Sequence, residues 1–323
     1  MTAKWLIRRI GFVLLVLFFA VCMNFVLPRL IPGSIVDYYI ADGTMDQQSI
    51  AILEAKFGLD KPTLTQFGIY LKNTFTGEFG LSFSYYPVPV MTKIKEALPY
   101  SLSILCLAML LREPMAIILG TVAGWRPGSK RDSIVQAVSL MLMAMPTFWV
   151  GMCLLYIFAY KLGWFPLSGA FTAAEHHPHI FAWLWDWIRH AFLPLLTLMH
   201  LFGAGQLVMR NTMVTTLKEH YLTTAEAKGL GENMVKYKHA ARNALLPVIT
   251  GMVMQFTLTL TGSIYIETVF SYPGIGKLMF NAVQTSDYPL IQGCFFFYAV
   301  ITLASIVLID IIYTRLDPRI RYH

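Results

Sequence analysis

Long apolar runs separated by shorter polar segments dominate the pattern of this chain. A helix needs about 20 apolar residues to cross the hydrocarbon core of a bilayer, so runs of that length predict membrane-spanning helices. The pattern therefore predicts an all-α membrane protein with six transmembrane helices. The runs lie at residues 10–27, 98–123, 134–160, 191–213, 246–266 and 289–314.

Basic residues precede the first run, as they do in a cleavable signal peptide. The run continues to residue 27, however, and ends in Pro28 and Arg29 rather than in the small residues of a cleavage site. We therefore expect it to remain in the protein as the first span.

The distribution of charge predicts the orientation of the chain in the lipid bilayer. Only 13% of the residues are charged, and 25 lysines and arginines outnumber 18 acidic residues. A cytoplasmic N-terminus places most of the basic residues inside the cell and most of the acidic ones outside, in agreement with the positive-inside rule. Both termini are therefore predicted to be cytoplasmic, and the basic excess requires no nucleic acid as a partner.

The segment between the first two spans is too polar to cross a membrane, yet it is rich in aromatic and aliphatic residues. Such a composition favours a folded segment over a disordered linker, so we expect short helices in a small extracytoplasmic subdomain. The predicted division is residues 1–31 for the N-terminal helix, 32–97 for this subdomain, 98–314 for the core of five helices and 315–323 for a cytoplasmic tail.

Three polar side chains interrupt the apolar runs. Arg112 and Glu113 lie in the second run just before Pro114, and His200 lies in the fourth. Intramembrane charges are costly, so the pair is expected either to face a partner, the pathway or an interface, or to form a mutual ion pair at a proline kink. For His200 we expect a packing or pathway-lining role.

The longest predicted cytoplasmic segment, residues 210–244, has a helix-turn-helix pattern. Ala225 and Ala227 favour a slender helix, Gly229 and Gly231 allow the chain to turn, and Pro247 is expected to begin the fifth span. A short projecting helix with small residues is suited to insertion into a groove on another protein.

This loop resembles the EAA loop of ABC importer permeases, and nearly the whole chain resembles their oligopeptide, dipeptide and nickel class. The loop matches are Ala225-x-Ala227-Lys228-Gly229-Leu230 and Arg242-Asn243-Ala244-x-x-Pro247. Other matches include Phe57-Gly58-Leu59-Asp60-Lys61-Pro62, Met145-Pro146-x-Phe148-Trp149, Glu267-x-x-Phe270-Ser271-Tyr272-Pro273-Gly274-x-Gly276 and Asp287-Tyr288-Pro289-x-x-Gln292-Gly293.

Two features depart from the family pattern. The loop motif reads Ala225-Glu226-Ala227 where the family opens with Glu-Ala-Ala, and Arg112-Glu113 stands where an apolar or small pair is expected. The first departure is minor. The second bears on what lines the pathway, because charges at that depth either alter what passes or bind a neighbouring span.

The resemblance implies a type I ABC importer permease fold in the cell inner membrane, with the loop as the coupling helix. The implied partners are a second permease subunit, two ATP-binding subunits that carry ATP and magnesium, and an extracytoplasmic solute-binding protein. The implied substrates are di- or oligopeptides, with nickel or a metal chelate as the alternative. The expected coupling residues are Thr224, Ala225, Glu226, Ala227, Lys228, Gly229, Leu230 and Arg242.

The extracytoplasmic surface carries two sets of candidate residues. Acidic residues Asp42, Asp46 and Glu267 are expected to dock the binding protein. The cluster His176, His177 and His179 has a spacing at which imidazoles can hold a transition metal, but a polar loop beside Pro178 is the preferred explanation, so no metal site is predicted.

The sequence offers little support for catalysis by this chain. The stretch from Gly274 to Lys277 lacks the first glycine of a phosphate-binding loop, at Ser271, so no cofactor is expected to bind here and ATP hydrolysis is assigned to partners. An ion-coupled secondary transporter would depend on Glu113 or Asp310. An intramembrane enzyme would need a nucleophile and a base at membrane depth, and His200 has no recognisable companions for that role.

Overall fold

The computed structural model describes residues 3–26, 29, 61–172 and 179–316, and this part of the chain is helical without regular strands. Two stretches, π1 and π2, are wound as π-helices. The elements are α1 (Ala3–Val26), α2 (Thr63–Thr76), α3 (Val90–Trp125), α4 (Lys130–Ala144), α5 (Thr147–Leu154), π1 (Leu155–Lys161), α6 (Ile180–Met199), α7 (Phe202–Thr216), α8 (His220–Ala227), π2 (Met234–Ala241), α9 (Arg242–Val269), α10 (Ile275–Gln284) and α11 (Tyr288–Leu316).

Three unbroken helices within the described residues, α1, α3 and α11, are long and apolar enough to cross a membrane. Three further spans are bent: α4 meets α5–π1 at 97°, α6 meets α7 at 44°, and Met234–Met252 meets Gln255–Val269 at 48°. Counting each bent pair as one span yields the six predicted from the sequence, in an all-α membrane protein.

The bends were not predicted from the hydropathy pattern. Between α4 and α5, Met145 is extended, with φ −85° and ψ 127°, because Pro146 disfavours a helical conformation in the residue before it. Between α6 and α7 the helix is interrupted at His200 and Leu201. Hydropathy reports only that a segment is apolar, so a break in direction leaves the signal unchanged.

Two other expectations about the spans were wrong. The second span begins eight residues before the predicted start at residue 98, because α3 runs unbroken from Val90 to Trp125 and passes through Arg112 and Glu113. Pro247 does not begin the fifth span but lies inside α9. Because α9 continues directly from π2, Pro247 lies in the interior of a longer helical stretch, where its missing N–H removes one i→i−4 hydrogen bond.

The chain divides into two compact units. The first contains α1, α2, the start of α3, α10 and most of α11. Within it Asn24 donates to the Tyr70 hydroxyl at 3.1 Å and to the Gln292 carbonyl at 2.8 Å, which joins α1 to α2 and α11. The buried carboxylate of Asp287 accepts from the Ser84 N–H at 2.9 Å and the Leu290 N–H at 3.2 Å, so it caps α11.

The second unit contains the remainder of α3 and every described helix from α4 to α9. In it α9 packs against α5, α6 and α7, and α7 packs against α4. Two groups of buried residues form its interior. The aromatic cluster comprises Ile104, Ala108, Ala159, Ala170, Ala191, Leu193, Leu195, Leu198, Ile266, Phe270 and Tyr272. The loop cluster comprises Met209, Met213, Leu222, Ala225, Val235, Ala240, Ala241, Ala244 and Val248.

Candidate coupling site and buried ion pair

The helix of the predicted coupling loop is α8, and its bounds differ from those expected. The sequence predicted a helix over residues 224–230, whereas α8 begins at His220 and ends at Ala227. Gly229 has φ +75° and its N–H bonds to the Glu226 carbonyl at 2.9 Å. This left-handed glycine ends the helix, because an L side chain rarely adopts that conformation.

The two faces of α8 differ in burial. Leu222 and Ala225 are buried in the loop cluster, whereas Thr224, Glu226 and Ala227 are exposed. The adjacent Lys228 and Gly229 are exposed as well. The helix is therefore anchored by one apolar face and presents small and polar side chains on the other.

Hydrogen bonds at exposed positions tie α8 and its flanking turn to the spans. Asn243, in the first turn of α9, donates to the Tyr221 hydroxyl at 2.7 Å. Trp125 and Arg126 at the end of α3 both donate to Glu232 Oε1, at 2.6 and 2.8 Å. These two hydrogen bonds hold the pKa of Glu232 below its ordinary value, and the bond from Trp125 has the larger effect.

Two glycines of α3 bring its backbone against α7. A Cβ added at Gly120 would lie 2.7 Å from the Gln206 carbonyl oxygen, and one at Gly124 would lie 2.7 Å from that of Arg210. Only glycine permits so close an approach. The spacing Gly120-x-x-x-Gly124 is the small-residue pattern of packed membrane helices, a signal that was present in the sequence and was missed.

Arg210 also fastens α7 to α4. Its Nε and Nη2 donate to the two carboxylate oxygens of Asp132 at 3.0 and 2.7 Å. Asp132 lies in the first turn of α4 and also accepts from the Gly128 N–H at 2.9 Å. A bidentate guanidinium–carboxylate pair fixes orientation as well as distance, so α7 is held by α3 on one side and by α4 on another.

Arg112 and Glu113 form a mutual ion pair inside the second unit. Nε and Nη2 of Arg112 donate to Glu113 Oε1 at 3.0 and 2.5 Å, and Nη1 donates to Thr259 Oγ1 of α9 at 2.7 Å. The two residues are only 1% and 6% exposed, so within this chain the pair faces neither solvent nor lipid. Of the alternatives left open by the sequence, the structure contains the ion pair, without an interruption of the helix.

His200 lies at the break between α6 and α7 and is buried. Its Nδ1 is within hydrogen-bonding distance of the Thr197 carbonyl, and its Nε2 lies 3.4 Å from the carbonyl of Met145, at the break between α4 and α5. The side chain therefore packs where two bent spans meet, which is the packing role expected as one alternative.

Glu267 does not fit the expected role in docking a binding protein. It is fully buried and accepts a hydrogen bond from Ser101 Oγ at 2.7 Å. A carboxylate in that position is satisfied within the protein and offers no charge to a partner. The other two docking candidates, Asp42 and Asp46, lie outside the described residues.

The expected histidine cluster lies mostly outside the described residues, which include only His179. Its Nδ1 accepts from the Ala182 N–H at 3.1 Å, so it caps the start of α6. Among the residues that the structure describes, no group of three or more His, Cys, Asp or Glu side chains could hold a metal ion.

Buried polar contacts around the aromatic cluster were not predicted from the sequence. Asp186 accepts from the N–H and Oγ1 of Thr172 at 2.8 and 2.7 Å. Trp187 Nε1 donates to the Tyr272 hydroxyl at 3.0 Å, and burial raises the pKa of Tyr272 to about 12. The partners are 14 and 85 residues apart in the chain, and no spacing rule links them.

Comparison with known proteins agrees with the resemblance of the loop to those of importer permeases. The model of the family described as the binding-protein-dependent transport system inner membrane component matches residues 116–322, which is more than half of the chain and includes the whole coupling loop. The chain belongs to this family. The match confirms the resemblance seen in the loop motif.

Individual relatives match the permease over nearly its whole length. It is 33% identical over 324 residues to a putative peptide transport system permease protein of Brucella melitensis, with 100% of both chains covered. It is 32% identical over 318 residues to a dipeptide transport system permease protein of Lactococcus lactis, covering 98% of this chain and 99% of the relative. It is 33% identical over 320 residues to an oligopeptide transport system permease protein of Haemophilus influenzae, covering 99% of each.

Proposed function

We propose that this permease forms half of the translocation pathway of an ATP-driven importer of di- or oligopeptides, which a binding protein delivers from outside the inner membrane. The observation that carries the proposal is full-length similarity to permeases of peptide, dipeptide and oligopeptide transport systems. The buried pairing of Glu113 with Arg112 argues against ion-coupled transport, because that carboxylate is already engaged by a cation.

The proposed assembly contains a second permease subunit and two ATP-binding subunits, which bind ATP and magnesium and hydrolyse the nucleotide. The exposed face of α8 supports this arrangement, since Thr224, Glu226 and Ala227 are free of the loop cluster and accessible to a groove on a partner. Movement of the partner then reaches the spans through Leu222 and Ala225, which anchor the helix.

The coupling role is tested by two substitutions that alter the projecting segment alone. Gly229→Pro removes the left-handed turn after α8, because proline holds φ near −65°. Ala227→Glu adds a bulky charge to the exposed face. In proteoliposomes that contain the whole importer and its binding protein, both variants should hydrolyse ATP but import a mixture of radiolabelled di- to pentapeptides poorly.

Gly231→Ala is the matched control, because a Cβ at that position meets no atom within 4 Å and the glycine has no left-handed φ. Its uptake should equal that of the wild type. Uptake by Gly229→Pro and Ala227→Glu equal to that of the control would remove α8 from the mechanism. Failure of the wild-type importer to accumulate any peptide with ATP would contradict peptide import itself.

The proposed orientation has both termini in the cytoplasm and the segment before α3 outside. A cysteine at Ser129 should then react with an impermeant maleimide only from the cytoplasmic side, and one at Asp46 only from the outside. Reaction of both from the same side would overturn the orientation.

Docking of the binding protein is proposed for Asp42 and Asp46, with Glu267 withdrawn because it is buried. Rim charges mainly set the rate of encounter, so reversing both aspartates should weaken stimulation of ATP hydrolysis by the binding protein and change its salt dependence. Unchanged stimulation at every salt concentration would identify the two aspartates as ordinary solvated surface.

A further inference from the structure

The Arg112–Glu113 pair lies on an unbroken helix between two bent spans. Arg112 bonds to Thr259, which belongs to the half of α9 after the bend, Gln255–Val269, and not to the half that adjoins the coupling loop. Glu113 faces α7, since a Cβ added at Gly205 would lie 3.5 Å from its Oε2. The pair therefore stands between α7 and the far half of α9.

The connection from the coupling helix to α7 is short. Only residues 217–219 separate the end of α7 from α8, and the N–H groups of Leu217 and Glu219 bond back to Met213 and Thr216 at 2.9 and 3.0 Å. A connection of three residues with such bonds has little freedom to bend. Displacement of α8 is therefore passed to α7.

From α7 the displacement passes to α3. The backbone contacts at Gly120 and Gly124 leave no space for the two helices to slide, because side chains on α7 already occupy the surface of each glycine. Within the second unit α3 is one continuous helix from Ser101 through Arg112 to Gly124, so these residues are carried on the same element.

The far half of α9 is bound to α3 at two levels. One bond is that of Arg112 to Thr259, and the other is that of Ser101 to the buried carboxylate of Glu267, at 2.7 Å. Both lie beyond the bend in α9. The bend itself is a poor transmitter, because the two halves of that span differ in direction by 48°.

We propose that Arg112 and Glu113 are positioning residues for transport, which link the coupling helix to the far half of α9 through α3 and so bypass the bend in the fifth span. Glu113 holds the guanidinium of Arg112 in place, and Arg112 holds Thr259. This inference rests on the proposed function of α8 as the coupling helix. It assigns a task to two buried charges that the proposed function leaves without one.

Thr259→Val tests the link with the least disturbance, since it removes the hydroxyl and preserves the shape of the side chain. Thr261→Val is the matched control on the same half of α9, because Thr261 is exposed and, among the described residues, its hydroxyl bonds to the Thr257 carbonyl alone, at 3.1 Å. In the reconstituted importer, Thr259→Val should raise the ATP hydrolysed per radiolabelled peptide by about threefold or more, whereas Thr261→Val should leave it unchanged.

A double variant separates positioning from folding. Arg112→Met with Glu113→Leu replaces the buried ion pair by apolar side chains of similar size, a change that is often neutral or stabilising. It should insert and assemble as the wild type does, yet show the same rise in ATP per peptide. Combining Thr259→Val with Ser101→Ala should enlarge the effect, because both bonds to α3 are then lost.

The ratio of ATP to peptide distinguishes the outcomes. A residue with only a structural role would lower hydrolysis and uptake in proportion, so an unchanged ratio in Thr259→Val and in both double variants would overturn the proposal. Equal increases in Thr259→Val and Thr261→Val would also overturn it. An absence of ATP-driven peptide uptake by the wild-type importer would contradict the proposed function rather than the link through Arg112 and Glu113.

Discussion

The aromatic cluster and the loop cluster of the second unit are stabilised in different ways. Around the aromatic cluster, large rings pack edge to face, as Tyr100 and Tyr272 do at 6.0 Å between centroids, and polar groups such as Asp186 and Glu267 are buried with partners. The loop cluster consists of alanine, valine, leucine and methionine, and the hydrogen bonds near it lie at the surface.

The difference follows from what each cluster has to do. Buried polar bonds specify one arrangement, because an unpaired group in a low dielectric is costly. Small side chains instead let helix backbones approach closely and leave a slender α8 whose other face is free. The polar groups of the aromatic cluster thus have their partners within the chain. The loop cluster instead supports α8, whose other face is exposed.

The largest effect is expected from filling a glycine contact beside the loop cluster. In Gly124→Ala the new Cβ would lie 2.6 Å from Met213 Cβ, so α3 and α7 must separate. We expect a loss of about 1–3 kcal/mol in the free energy of unfolding, as for other overpacked sites. The measurement is the thermal unfolding midpoint of the detergent-purified permease.

Gly262→Ala supplies the control for that substitution. A Cβ at Gly262 meets nothing within 4 Å, and alanine has the higher helix propensity, so its midpoint should stay the same or rise slightly. Equal midpoints for the two variants would show that the close contact between α3 and α7 contributes nothing to stability.

An intermediate effect is expected in the aromatic cluster. Tyr272→Phe removes the hydroxyl that accepts from Trp187, which leaves a partly buried indole N–H without that acceptor and should cost about 0.5–1.5 kcal/mol. Tyr265→Phe, at an exposed position, should have no effect on the same unfolding midpoint. An unchanged midpoint for Tyr272→Phe would show that the hydrogen bond between Trp187 and Tyr272 does not stabilise the aromatic cluster.

The smallest effect is expected from Glu232→Gln, because this carboxylate is exposed. The hydrogen bond from Trp125 and then the contacts of Arg126 lower its pKa in the folded protein from 4.5, so they stabilise the fold above that pH and this contribution is lost as the pH falls through the lowered value. The unfolding midpoints of wild type and variant should differ slightly at pH 7 and converge as the pH falls through the lowered pKa.

Glu226→Gln is the control for loss of the negative charge, since that exposed carboxylate makes no ion pair with any residue that the structure describes. Its midpoint at pH 7 should equal that of the wild type. A difference between Glu232→Gln and wild type that persists at low pH would assign the effect to the amide and not to the lost charge.

Much of the candidate site was predictable from local sequence. The loop helix and the turn at Gly229 depend on residues within one or two helical turns of each other, whereas the burial of Ala225 was not predicted. The bounds of α8 were misplaced because residues His220 to Thr223 carry no strong start signal: Glu219, at the N-cap, makes no capping hydrogen bond. The contact of Gly120 and Gly124 was readable from their spacing but was overlooked.

Glu267 shows the opposite case. A glutamate at the end of a span has the same sequence appearance whether it faces solvent or a serine on another helix. Its burial depends on Ser101, which lies 166 residues earlier. The residues next to Glu267 in the chain therefore do not indicate whether its side chain is buried.

The sequence by itself determined the number of spans, counted with each bent pair as one, because bilayer thickness sets the apolar length that a spanning helix must have. It also determined the family, through a loop motif whose residues are close neighbours in the chain. Only the tertiary structure decided that Arg112 reaches Thr259, 147 residues away, and that three spans bend. The free energy of a buried charge depends on which groups surround it, and helix packing alone brings those groups together.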